Sequence, residues 1–89
     1  MAWRVEFEAD ADRELQRLGA AAEKRIARFV RARLATPADP RRFGQPLRGD
    51  LHGYWRYRVG DYRIVARIEE QRVLVLIVRV GHRKDVYDF

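Results

Sequence analysis

The stretch Tyr54-Trp55-Arg56-Tyr57-Arg58-Val59-Gly60-Asp61-Tyr62-Arg63-Ile64-Val65 decides the fold. Gly60-Asp61 is a two-residue Gly-X loop between segments that alternate and are rich in aromatic and β-branched residues, the signature of a hairpin closed by a type II′ turn. The turn sets the register: Val59 opposes Tyr62, Arg58 opposes Arg63, Tyr57 opposes Ile64 and Arg56 opposes Val65, and opposed residues share a face. One face then carries Trp55, Tyr57, Val59, Tyr62, Ile64 and Ala66; the other carries Tyr54, Arg56, Arg58, Arg63 and Arg67. Placing Arg58 across from Arg63 costs a sheet up to roughly 1 kcal/mol, so local stability does not select that pair. A bound polyanion would select it; the competing reading is a solvated outer face in an arginine-rich protein.

Outward from the hairpin, Trp3, Val5 and Phe7 alternate with Arg4, Glu6 and Glu8, as a half-buried strand does. Asp10 or Asp12 is placed to cap the helix that follows. Leu15, Leu18, Ala22, Ile26, Phe29, Val30 and Leu34 recur at intervals of three or four, one apolar stripe on two helices divided near Gly19. Gly19 and Thr36-Pro37 leave too few heptads for a coiled coil. Thr36-Pro37-Ala38-Asp39-Pro40 stops the second helix, and Gly44, Pro46, Gly49 and Gly53 predict an irregular connection up to Tyr54. Beyond the hairpin, Glu69-Glu70-Gln71 turns the chain into Val73–Val78, apolar on both sides like a central strand. Arg79-Val80-Gly81-His82-Arg83 is expected to leave the sheet. The order predicts an α+β domain over residues 1–89: an N-terminal strand, an α-hairpin, then a mostly antiparallel sheet of three further strands, with one face left free.

The 89 residues are enough for one modest core. Without cysteine there is neither a disulfide framework nor a thiolate ligand or nucleophile, which fits a reducing cytosol. Without serine there is no serine nucleophile, and neither HExxH, a Gly-rich phosphate loop nor an acidic cluster is present, so metal-dependent nuclease chemistry finds no support. No apolar run is long enough to span a membrane, and the acidic, alternating N-terminus is unlike a signal peptide. The net charge of +6 is uneven: residues 1–40 hold 8 basic and 7 acidic groups, residues 41–89 hold 11 and 6. The positive field of the C-terminal half favours nucleic acid, an anionic surface or an acidic protein.

Pro46-Leu47-Arg48-Gly49 with Gly53, then Arg58-Val59-Gly60-Asp61-Tyr62-Arg63-Ile64-Val65, and finally Val80-Gly81-His82-Arg83-Lys84-Asp85-Val86-Tyr87 make the chain resemble, end to end, the RelE/ParE superfamily of toxins from type II toxin–antitoxin modules, the RelE branch most closely. The resemblance implies an mRNA interferase: a ribosome-dependent, metal-independent endoribonuclease that turns the substrate's own 2′-hydroxyl on the adjacent phosphate, with no cofactor. It implies Arg63 as phosphate clamp, Arg83 as acid or second clamp and Tyr87 as a stacking or proton-handling group. Arg56 stands where the family has one catalytic lysine and Tyr54 where it has another. Arginine is a poor general base, so loss of the lysine pair implies weakened catalysis and leaves Tyr54, Tyr87 and His82 to accept a proton. Arg56, Arg63, Arg83 and Tyr87 are thus the expected catalytic set, with Tyr54, Arg58, Arg67, His82 and Lys84 as RNA contacts. His52 lacks a partner motif, Asp61 reads as a turn residue, and Trp3, Trp55 and Tyr57 read as packing. The implied partners are an acidic cognate antitoxin, the ribosome and mRNA, with a higher-order toxin–antitoxin complex, no membrane and a cytoplasmic location. Two other classes stay open on the residues: a ParE-like toxin that inhibits DNA gyrase by binding, and a domain acting only as repressor or scaffold with its partner.

Overall fold

In the computed structural model, which describes residues 1–85, the alternation at the N-terminus forms strand β1 (Arg4–Phe7). The apolar stripe forms α1 (Ala9–Leu18) and α2 (Ala20–Phe29), broken at Gly19, whose φ of 96° a side chain rarely adopts. Neither predicted aspartate caps α1. Glu8 occupies the cap position, while Asp10 and Asp12 lie in the first turn, where a carboxylate complements the helix dipole and Asp10 pairs with Arg13. The last turn after α2, Val30–Leu34, is widened to a π-type turn that ends before Pro37 and buries Leu34.

The predicted hairpin is β3 (Tyr54–Val59) and β4 (Tyr62–Glu69), in the expected register from Val59↔Tyr62 to Arg56↔Val65. The connection before it is less irregular than its glycines and prolines suggest. Two short 3-10 turns, Pro40–Phe43 and Gly49–Leu51, flank the two-residue strand β2 (Gln45–Pro46), which pairs with the free edge of β3. The last strand, β5 (Leu74–His82), also runs further than expected. Arg79–His82 remain in the sheet because β4 is long enough to pair with them, from Val65↔Arg79 to Tyr62↔His82. The sheet therefore has five strands in the order β1-β5-β4-β3-β2, with β1 parallel to β5 and every other neighbour antiparallel.

A bulge between Val65 and Ala66 shifts the pairing of β4 from Arg79 to Ile77, leaving Val78 as the extra residue. The extra residue resets the alternation of β5, so that Val75, Ile77 and Val80 all reach the core. There they meet Tyr57, Ile64 and Ala66 from the hairpin and Ala11, Ile26 and Leu34 from the helices. Full burial of each large aliphatic side chain contributes roughly 1.5–3 kcal/mol. Tyr57 is wholly buried: its hydroxyl donates to the Pro40 carbonyl at 3.0 Å and its ring meets Phe29 edge-on. Glu14 of α1 closes the edge of β5 beyond the end of β1, accepting from the Val80 N–H at 2.9 Å and from Arg79 Nε at 3.0 Å.

Candidate nucleic-acid interface

The site is built on the hairpin turn. Gly60 has φ +60°, and Asp61 is not among the residues with positive φ, which is the type II′ pattern. Arg63 folds back over this turn, its Nη1 donating to the carbonyls of Gly60 and Tyr62, both at 2.8 Å. Because β5 continues to His82, the chain delivers Arg83 to the same turn. The Arg83 N–H donates to the Asp61 carbonyl at 2.7 Å, and its Nε stands 3.8 Å from the Asp61 carboxylate. On the helix side the Arg25 guanidinium of α2 lies so close that a Cβ on Gly60 would be 2.6 Å from it.

Around this anchor, Arg58 sits directly across from Arg63 and is exposed, and Arg56 lies two residues back on the same face. Arg56 donates from Nη2 to Gln45 Oε1 at 2.9 Å. Partial desolvation, then the charges of Arg58, Arg56 and Arg83, hold the Arg63 guanidinium below its ordinary pKa, against the opposing pull of Asp61. Three neighbouring guanidiniums thus bear on that of Arg63. Such an arrangement is relieved by a multivalent anion, and the planar forks suit phosphate oxygens.

Not every expected residue joins them. Arg67 and Tyr54 share the arginine face but lie four residues along the ladder from Arg63, about 13 Å at the rise of a strand. Arg67 is there engaged by Glu69, to which it donates from Nε and Nη2 at 3.2 and 2.9 Å, and this bonding raises its pKa. His82 pairs with Tyr62 and so lies on the helix side of the sheet, edge-on to the Tyr62 ring, away from the arginines; its Nδ1 accepts from the Lys84 N–H at 3.2 Å. Lys84 is exposed in the turn after Arg83. Tyr87 lies outside the described residues. Trp3, Trp55 and Tyr57 pack in or against the core, as expected. The free face is also smaller than expected: Val65, on the arginine side, is only 2% exposed and lines a cleft with Leu51, Tyr54, Val78 and Arg79.

Two features have no warning in the sequence. One is Arg25, a helix residue with an ordinary charged-face pattern. The other is a cleft of about 240 Å³ beside the cluster, lined by Arg42, Phe43, Gly44, Gln45, Arg56 and Arg58. Its position depends on the pairing of β2 with β3, which two residues of strand are too short to announce. Among the described residues no group of three or more histidines and carboxylates converges where it could hold a metal, and no helix is long and apolar enough to cross a membrane.

The family model described as "ParE toxin of type II toxin-antitoxin system, parDE" matches residues 3–87. Toxin RelG of Mycobacterium tuberculosis (strain ATCC 25618 / H37Rv) is 36% identical over 87 residues, covering 98% of each chain. Toxin RelE of the same organism is 36% identical over 85 residues, covering 96% of this chain and 86% of its own. A chain in the crystal structure of the toxin–antitoxin complex RelBE2 from Mycobacterium tuberculosis superposes with a TM-score of 0.85 at 34% identity, covering 93% of each chain. Fold, hairpin and end-to-end similarity agree, and the chain belongs to the RelE/ParE superfamily of toxins from type II toxin–antitoxin systems.

Proposed function

We propose that the protein is the mRNA-cutting toxin of its pair, a ribosome-dependent endoribonuclease that acts through the substrate's own 2′-hydroxyl. The observation that carries this reading is the convergence of Arg56, Arg58, Arg63 and Arg83 on one face, with Arg63 and Arg83 both anchored to the Gly60-Asp61 turn. Attack of a 2′-hydroxyl on the neighbouring phosphorus adds negative charge to the non-bridging oxygens. Donors fixed in advance stabilise that charge without reorganising. Arg63, held by two backbone carbonyls, clamps those oxygens, and Arg58 across the ladder supplies the second cation. Arg83 serves the 5′-oxygen as it leaves. Arg56, bound to Gln45, holds a flanking phosphate. Tyr87 stacks on a base or handles a proton. Arg56 in place of a lysine is a poor base, so the proton of the 2′-hydroxyl passes to Tyr87 or to a group of the ribosome, and orientation on the ribosome lowers the barrier to attack.

The partner in this reading is an acidic antitoxin; RelB accompanies RelE in solved complexes such as that from Pyrococcus horikoshii, 26% identical with a TM-score of 0.68. The reading is tested by primer extension on mRNA from translating ribosomes, with wild type and with Arg63→Ala and Arg83→Ala. Cuts in the decoding site that vanish in the variants support it. Growth arrest without cuts overturns it in favour of a protein target such as gyrase, and neither cuts nor arrest overturns it in favour of an inactive toxin.

A further inference from the structure

Asp61 does more than complete the hairpin turn, because it meets Arg83 through both its main chain and its side chain. Its carbonyl accepts from the Arg83 N–H at 2.7 Å, and its carboxylate stands 3.8 Å from Arg83 Nε. At that separation an ion pair acts but a hydrogen bond does not, so the carboxylate draws the guanidinium toward the turn and leaves its Nε–H unspent. Arg67 is held differently: Glu69 accepts from its Nε and Nη2 at 3.2 and 2.9 Å, and those donors are used up. The pull on Arg83 has work to oppose. The side chains of Arg83 and Asp61 are 58% and 67% exposed, so Arg83 keeps its rotamer freedom, and its charge and that of Arg63 repel. Asp61 acts on Arg63 as well, in the sense opposite to the neighbouring arginines. One carboxylate thus offsets repulsion at both anchored cations.

We propose that Asp61 is a positioning residue for the cut, its carboxylate keeping Arg83 beside Arg63 in the free protein and yielding it to the phosphate when RNA arrives; the proposal rests on the mRNA-cutting reading above. The role has two effects of opposite sign. A negative charge beside a cationic site weakens its hold on RNA phosphates. The same charge keeps a donor in place before the leaving 5′-oxygen becomes negative, which raises the rate. A residue that served the turn alone would have neither effect. The turn is bonded to Arg83 through a main-chain carbonyl, which an asparagine retains, and asparagine suits a turn.

The test is single-turnover cutting of mRNA on programmed ribosomes as the protein concentration is varied, for wild type, Asp61→Asn and Asp61→Glu. Asp12→Asn, the same charge change at an exposed position of α1, is the control. Asp61→Asn should lower the half-saturating concentration about twofold to fivefold, the scale of one exposed charge interaction, and lower the maximal rate about tenfold. Asp61→Glu, which restores the charge, should recover most of that rate, and the control should leave both constants unchanged. The Tm values of all four should agree within a few degrees, because an exposed ion pair adds little stability. The positioning role is overturned, and the nuclease reading left standing, by any of three results: an unchanged maximal rate in Asp61→Asn, an equal loss of rate in Asp61→Asn and Asp61→Glu, or a control that shifts alongside them. A Tm loss in Asp61→Asn beyond those few degrees overturns it in favour of a role in the turn alone. No cutting by wild type overturns both.

Discussion

Gly60→Ala reports on how the hairpin turn holds the site together. The residue has φ +60°, so an alanine there meets the left-handed penalty of about 1–2 kcal/mol. Its new methyl would also stand 2.6 Å from the Arg25 guanidinium and must displace it, which is inexpensive because Arg25 is the end of a flexible side chain. For a domain of this size each kcal/mol lowers Tm by roughly 4–8 °C, so the expected fall is about 4–16 °C. Thermal unfolding followed by far-UV circular dichroism measures it. In the Arg25→Ala background the steric part disappears and the backbone part persists, so the same substitution should cost less but not become neutral. If Gly60→Ala left Tm within 2 °C or so of wild type, well inside the cost of a left-handed alanine, the turn would not have the conformation on which the anchoring of Arg63 and Arg83 depends. Retained activity in a variant so destabilised at the turn would separately sink the idea that the turn aims the clamp.

Four other outcomes are expected. Arg63→Ala should lower the slope of log affinity against log salt for single-stranded RNA by about 0.7, one phosphate contact, whereas Arg67→Ala, already engaged by Glu69, should change it little, as fluorescence anisotropy across a salt series would show. Glu14→Ala removes the acceptor from the Val80 N–H in the buried edge of β5 and should cost about 1–3 kcal/mol in urea unfolding. Tyr57→Phe strips the donor from the Pro40 carbonyl inside the core and should cost about 1 kcal/mol by the same assay, with the hairpin retained. Asp39 is held below the usual carboxylate range, first by the Arg41 N–H it accepts. Its folded pKa is depressed, so its contribution is present above the unfolded value and lost as pH falls through the folded one. The stability difference between wild type and Asp39→Asn should therefore be constant above about pH 5 and shrink below about pH 4.

The hairpin was legible because Gly60-Asp61 admits one turn and one turn admits one register; the arginine face follows from alternation alone. The helices were legible from Leu15 to Leu34 because Gly19 and Pro37 punctuate a single stripe. What escaped was set by partners distant in sequence. Arg79–Gly81 read as an exit from the sheet because their charged and small residues lack a strand pattern, yet the length of β4 keeps them paired. His82 was expected as an RNA contact and a candidate proton acceptor, but its pairing with Tyr62 places it on the face opposite the arginines. Gln45 carries no local signal; its meaning comes from Arg56, eleven residues on, across an edge pair. Arg67 lies on the arginine face four residues along from Arg63 and is engaged there by Glu69, a contact that the hairpin pattern does not announce.

The four clustered cations Arg56, Arg58, Arg63 and Arg83 include no lysine. An ammonium can be neutralised by acetylation, and burial can strip its proton near neutrality. A guanidinium keeps its charge at any pH a cell tolerates. These four side chains therefore have no titratable off state and give acetylation no target, so masking their charge falls to a molecule laid over them, and control then passes to the supply and lifetime of whatever provides that cover.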